Sequence, residues 1–155
     1  MIKSNLKAIS FIFIFIFIIE NSIATSKKVF AQNEQIKITN PFINVIGKNA
    51  KSAAGYMVLE NLSGQKITLL GAVSDFGSTM LHTSEEKDGV VSMIHLNQID
   101  VDKGDKVNFI PGGLHIMFVG IDRDLRVDST KDILLKFRNS EKTFTKTVSF
   151  AVKAK

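Results

Sequence analysis

The sequence predicts an all-β domain, a two-sheet sandwich or Greek-key barrel of about eight or nine short strands. After residue 31, no segment keeps a helical hydrophobic period over a dozen positions. Many short segments instead alternate apolar and polar side chains between turn residues. A chain of 155 residues, of which 45% are hydrophobic, is long enough for one domain with a substantial core.

The strands are justified in chain order by alternation and by the turn residues between them. The first is bent at Asn40-Pro41, and the last alternates Phe and Val with Thr and Ser. Residues 86–89 and 111–113 are glycine-containing turns, and residues 122–130 are a polar surface loop. The predicted strands cover residues 36–46, 53–59, 67–73, 80–85, 90–96, 106–110, 114–121, 133–137 and 143–152.

The first 31 residues have the features of a secretory signal peptide. A lysine-containing start precedes an apolar run over residues 8–19, which is too short to span a bilayer as a helix. Cleavage is expected after Ala31, with Ala24 as the alternative, and Glu20 argues against an uncleaved anchor. The sequence therefore predicts export, one domain over residues 32–155 and no stable membrane insertion after cleavage.

Charge and composition exclude several classes of protein. The formal charge of +5 falls to +2 without the first 31 residues, and no basic stripe remains, so nucleic acid is not expected as a partner. The chain has no cysteine, which excludes disulfide scaffolds, thiolate metal sites, cysteine nucleophiles and lipid-anchored cysteines. A bound metal would therefore need histidine, methionine, carboxylate or backbone ligands.

Potential metal ligands are concentrated in one part of the chain. A hairpin closed by a four-residue turn would place His82 opposite Met93, and Met80 opposite His95, with all four side chains on one face. His115 and Met117 share a face of another strand. Met57 lies in a core-type strand and is predicted to be buried. Residues 80–117 contain all three histidines and three of the four methionines after residue 31, namely Met80, His82, Met93, His95, His115 and Met117.

These side chains favour copper over other metals. Thioether sulfur is soft and pairs with Cu(I) far better than with zinc, magnesium or calcium, and imidazole completes such a site. A His/Met pair across the hairpin and a His-x-Met pair on another strand could close a four-ligand site. Met80 and His95 would lie beside this site or bind copper transiently. The donor set suits a carrier, and an enzyme is not expected.

The spacing resembles that of the periplasmic copper chaperone family usually called PCu(A)C, whose motif is His, ten residues, Met, twenty-one residues, then His-x-Met. Here ten residues separate His82 from Met93, twenty-one separate Met93 from His115, and one separates His115 from Met117. The resemblance covers roughly residues 35–152. It also includes the segments Pro111-Gly112-Gly113-Leu114-His115-Ile116-Met117, Ala54-Gly55-Tyr56-Met57 and Asn40-Pro41-Phe42.

The resemblance implies a cupredoxin-like β-barrel in the periplasm that binds one Cu(I) near its surface. By residue-to-residue correspondence, the ligands would be His82, Met93, His115 and Met117. Such proteins pass copper toward the binuclear copper centre of cytochrome c oxidase, directly or through a Sco-type thiol partner. The implied partners are thus proteins that donate or accept copper.

Three departures from the family pattern are visible. The C-terminal residues lack His and Met, so a second, Cu(II) site in a tail is not expected. Phe42 stands where many members have Trp, and Leu114 stands where an aromatic residue is common.

Two other functions stay open from the sequence. One is copper storage or tolerance without delivery. The other is a secreted β-sandwich binding or adhesion module without metal, although one Tyr and no Trp leave little for an aromatic platform.

Overall fold

The computed structural model describes residues 35–45, 47, 49–122 and 125–154. The predicted signal peptide and both cleavage positions lie outside the described residues. Within them, no helix is long and apolar enough to cross a membrane. The described chain forms ten strands, which are β1 (Ile36–Val45), β2 (Ser52–Asn61), β3 (Ile67–Val73), β4 (Ser78–Lys87), β5 (Val90–Leu96), β6 (Ile99–Val101), β7 (Lys106–Phe109), β8 (His115–Val119), β9 (Thr130–Arg138) and β10 (Thr143–Ala154).

The ten strands form one sheet that is not closed. Its order is β5-β4-β8-β2-β1-β10-β9-β3-β6, and β7 pairs with the second half of β2. Only the β1–β10 pairing is parallel among the described strands. The predicted all-β class is confirmed. The additional strand, β6, has three residues, which is too short for alternation to show in the sequence.

Alternating side chains build the core between the curved halves of the sheet. In β9, Ile133, Leu135 and Phe137 are fully buried, while their neighbours face outward. In β8, Ile116 and Phe118 are fully buried in the same way. Because side chains alternate along a strand, His115 and Met117 of β8 lie on the other face of the sheet. Their partners on the adjacent strands lie on that face too.

Several sequence-level predictions about the core and the strands hold in the structure. Met57 is buried, as its strand pattern predicts. The bend at Asn40-Pro41 is present as a shift in the β1–β2 register between Thr39 and Phe42, with Asn40 at a positive φ of 53°. Since proline cannot donate a ladder hydrogen bond, a bulge is the position where a strand tolerates it.

The predicted register of the β4–β5 hairpin is wrong by two residues. His82 lies opposite His95, and Met93 lies opposite Ser84, because β4 continues to Lys87 and pairs there with Val90. The turn is the two-residue Asp88-Gly89, with φ values of 55° and 77°. Two consecutive positive φ angles are typical of the type I′ turn, which matches the twist of a hairpin.

The shift of two residues changes which side chains lie opposite each other, but each side chain stays on the predicted face of the sheet. Side chains alternate with a period of two, so the predicted common face of the hairpin's histidines and methionines is retained. Met80 does not face His95 as predicted. It lies opposite Met117 on β8, on the other side of β4.

Candidate metal centre

The centre is built on a face where aromatic rings stand in a row across five strands. His82 on β4 lies between His95 on β5 and His115 on β8, with ring centroids 5.5 Å and 5.7 Å away. Tyr56 on β2 continues the row at 6.4 Å from His115, and Phe42 on β1 lies 5.2 Å beyond Tyr56. The fold thus brings together three histidines that lie on three different strands.

His115 is the most rigidly held of the three histidines. Its side chain is only 4% exposed, although it is polar. Its Nδ1 lies 3.0 Å from the carbonyl oxygen of Gly113. Since a carbonyl can only accept, Nδ1 carries the proton and donates, which leaves the Nε2 lone pair free to bind a metal.

His82 carries an unpartnered nitrogen at the centre of the row. Its Nδ1 is buried and has no hydrogen-bond partner among the described residues. Burial, followed by the neighbouring rings of His115 and His95, lowers the pKa of His82 below its usual 6.5. The ring is therefore neutral at neutral pH, which is the form that binds metal. A metal on Nδ1 would also satisfy the buried nitrogen.

The two methionines of the motif lie diagonally on either side of His82. Met117 is half-buried on β8, two residues from His115, and Met93 is 62% exposed on β5, two residues from His95. Diagonal neighbours in a sheet are about 7–8 Å apart at Cα, within reach of long side chains. The thioether of Met117 is thus partly covered by the sheet, whereas that of Met93 is open to solvent.

A cleft of about 400 Å³ opens beside these ligands. Met93, His115 and Met117 line it together with Asn44 and Tyr56. The side-chain oxygen of Asn44 is buried there without a hydrogen-bond partner within the described chain. The cleft leaves the side chains of Met93, His115 and Met117 accessible from one side.

The donor set fits copper(I) better than a hard or borderline divalent ion. Two imidazoles with centroids 5.7 Å apart can both reach an ion that sits about 2 Å from each ring nitrogen. The thioethers of Met93 and Met117 lie on the same face, as does that of Met80 opposite Met117, and thioether sulfur is soft. No three His, Asp or Glu side chains of the described residues are grouped so that they could hold a metal by themselves.

The chain is similar to known proteins over most of its described part. The family described as "Putative lipoprotein LpqE-like" matches residues 36–152, which is nearly all of the part that the structure describes. The chain belongs to the LpqE-like family. This is the PCuAC-type family of copper chaperones, so the resemblance read from the His/Met spacing is confirmed. A comparison with curated protein sequences gives no match.

Solved structures of PCuAC domains share the fold. A copper-bound PCuAC domain from PmoF2 is 25% identical and covers 78% of this chain and 94% of its own, with a TM-score of 0.63. The solution structure of apo-DR1885 from Deinococcus radiodurans is also 25% identical, with coverages of 78% and 80% and a TM-score of 0.58. The Cu(I) form of DR1885 is 28% identical, with coverages of 74% and 75% and a TM-score of 0.55.

Sequence reasoning missed three groups that shape this LpqE-like centre. The carbonyl of Gly113 orients His115, Asn44 lines the cleft, and Ser84 faces Met93. The Asp88-Gly89 pair could have given the correct register, since Asp-Gly between alternating residues is a strong signal for a two-residue hairpin turn. No sequence signal points to Asn44, because its place depends on how β1 aligns with β2.

Proposed function

We propose that this LpqE-like protein is a Cu(I) carrier that holds one ion through His82, Met93, His115 and Met117. The observation that carries the proposal is the shared face of these four side chains, with Nδ1 of His115 hydrogen-bonded and Nδ1 of His82 unpartnered. The copper-bound and Cu(I)-bound states of the PmoF2 and DR1885 domains support copper as the cargo.

Release by ligand exchange follows from the unequal exposure of the ligands. His115 is held at 4% exposure, whereas Met93 is 62% exposed on a strand at the edge of the sheet. A thiolate from a partner can replace the exposed thioether of Met93 while the imidazoles still hold the ion. This is the expected behaviour of a carrier, and no catalytic step is assigned to the site.

Export to the periplasm and delivery toward the binuclear copper centre of cytochrome c oxidase, directly or through a Sco-type thiol protein, complete the proposal. The lipoprotein description of the family supports export. The 155 residues contain no cysteine, so lipid attachment through cysteine is excluded within them. Storage or tolerance is the alternative role for the same site.

Competition for Cu(I) tests the ligand assignment. Cu(I) is titrated into the protein against a chromogenic chelator, for the wild type and for Met93→Leu/Met117→Leu. We expect one ion per wild-type chain and a loss of affinity of at least about tenfold in the double variant. The matched control is Met57→Leu, which makes the same substitution at a methionine buried in the core. Unchanged affinity and stoichiometry in the double variant would show that the ligand assignment is wrong.

A deletion strain separates delivery from storage. If the protein delivers copper, loss of the gene lowers cytochrome c oxidase activity under copper limitation, and added copper restores it. If the protein stores copper, oxidase activity is unchanged and growth fails under copper excess.

A further inference from the structure

One histidine on the face of the candidate centre lies outside the four-residue motif. His95 is exposed on β5 and stands directly opposite His82, with the two rings edge to face and their centroids 5.5 Å apart. β5 pairs only with β4 among the described strands, so His95 stands on the free edge of the sheet.

His82 therefore has two imidazole neighbours on opposite sides. His115 lies toward the interior of the sheet at 5.7 Å, and His95 lies toward its edge at 5.5 Å. In either pair the two rings are close enough to share one ion that lies about 2 Å from a nitrogen of each ring. The described residues contain no group of three such side chains around one point, so a single ion does not contact all three rings as they stand. The two pairs define two different positions, and His82 belongs to both.

The two positions differ in donors and surroundings. The position with His115 borders the cleft that Met93 and Met117 line, so its further donors are soft thioethers. The lining of that cleft includes neither His82 nor His95. The position with His95 is at the exposed edge, where water supplies the remaining ligands. Imidazole and water suit Cu(II), while thioether favours Cu(I).

We propose that His82 and His95 form a second copper position at the sheet edge that takes Cu(II), so that the oxidation state of the ion decides whether His82 pairs with His95 or with His115. Because His82 is shared, the two positions are filled one at a time. The buried Nδ1 of His82, which has no hydrogen-bond partner among the described residues, is the independent observation behind this assignment, since the ring that carries it stands between those of His95 and His115. The inference rests on the proposed copper-binding role of His82.

Electron paramagnetic resonance of the protein loaded with one equivalent of Cu(II) tests the proposal. The wild-type spectrum should show nitrogen coupling from two imidazoles. His95→Gln should lose one of them and weaken Cu(II) binding by at least about tenfold. Its Cu(I) affinity, measured by chelator competition, should stay within about threefold of wild type. Circular dichroism and thermal melting check that the variant keeps its fold.

Met93→Leu is the matched control, because Met93 is two residues from His95 on the same face of β5. It should weaken Cu(I) binding and leave the Cu(II) spectrum unchanged. An unchanged Cu(II) spectrum in His95→Gln overturns the second position, and so does an equal loss of Cu(I) and Cu(II) affinity. Absence of Cu(I) binding by the wild type refutes the proposed carrier function, whereas Cu(I) binding without Cu(II) binding refutes only the second position.

Discussion

At the scale of single residues, the centre depends on two imidazoles that the fold treats differently. Nδ1 of His115 donates to the carbonyl of Gly113, which orients the ring and leaves the Nε2 lone pair unused. Nδ1 of His82 is buried with no partner in the described chain. A buried polar atom without a partner costs about 1–3 kcal/mol, so the metal-free site is less stable than it would be with an ion or a hydrogen-bond donor there.

Metal-free stability is expected to fall in acid because of His82. Its pKa lies below the usual 6.5, mainly through burial and then through His115 and His95. Between the lowered folded pKa and 6.5, the unfolded chain binds more protons than the folded chain, so the free energy of unfolding falls as pH drops through that window. Urea unfolding between about pH 7.5 and about pH 5.5 measures this slope. His82→Gln should flatten it, and an equal slope in both proteins would contradict the assigned burial of His82.

At the scale of elements, the β4–β5 hairpin determines which ligands meet. Its two-residue turn sets His82 opposite His95 and Met93 opposite Ser84. No residue of β5 is buried, so its hydrogen-bond ladder with β4 is the main interaction that holds it in place. The turn therefore contributes a large part of what fixes Met93 relative to the imidazoles.

Gly89→Ala is expected to weaken the hairpin. Gly89 adopts a φ of 77°, where a side chain is strained by about 1–3 kcal/mol. Because β5 carries Met93, Cu(I) affinity should fall while the core stays folded. Gly64→Ala is the control, since a Cβ at Gly64 meets nothing within 4 Å and its φ is not in the positive range. Equal Cu(I) affinities in the two variants, measured by chelator competition, would show that the turn does not position the ligands.

The elements also show what the sequence could and could not predict. Nine of the ten strands were located from the sequence, by alternation together with the turn residues between strands. β5 has no buried position, and the turn ending in Gly89 marked its start. The strand β6 is too short to show a period. The hairpin register depended on the turn type, and a four-residue turn was expected where Asp88-Gly89 forms a two-residue one.

At the scale of the whole molecule, the sheet divides into a packed face and a ligand-bearing face. Ile116 and Phe118 face the core, and the intervening Met117 faces the centre on the same strand. Identification of the His/Met motif needed only residue spacing, whereas the row of rings needed the order β5-β4-β8-β2, which brings together segments far apart in the chain. Long-range pairing of this kind is not encoded in local periodicity.

The core, and not the centre, should dominate stability. Phe118 is fully buried and packs against Phe76 at a ring distance of 5.1 Å. Phe118→Ala should cost about 3–5 kcal/mol, a large part of the stability of a typical domain. Phe144→Ala, at a partly buried position beside Phe137, should cost clearly less. Urea unfolding of both variants measures the difference, and equal losses would contradict the placement of the core.

X-ray absorption at the copper edge of the Cu(I)-loaded protein identifies the atoms that bind the ion. A site formed by His82, Met93, His115 and Met117 gives two sulfur and two nitrogen neighbours, with sulfur scattering reduced in Met93→Leu/Met117→Leu and unchanged in Met57→Leu. A spectrum with nitrogen or oxygen neighbours alone would contradict a thioether carrier site on this face of the sheet.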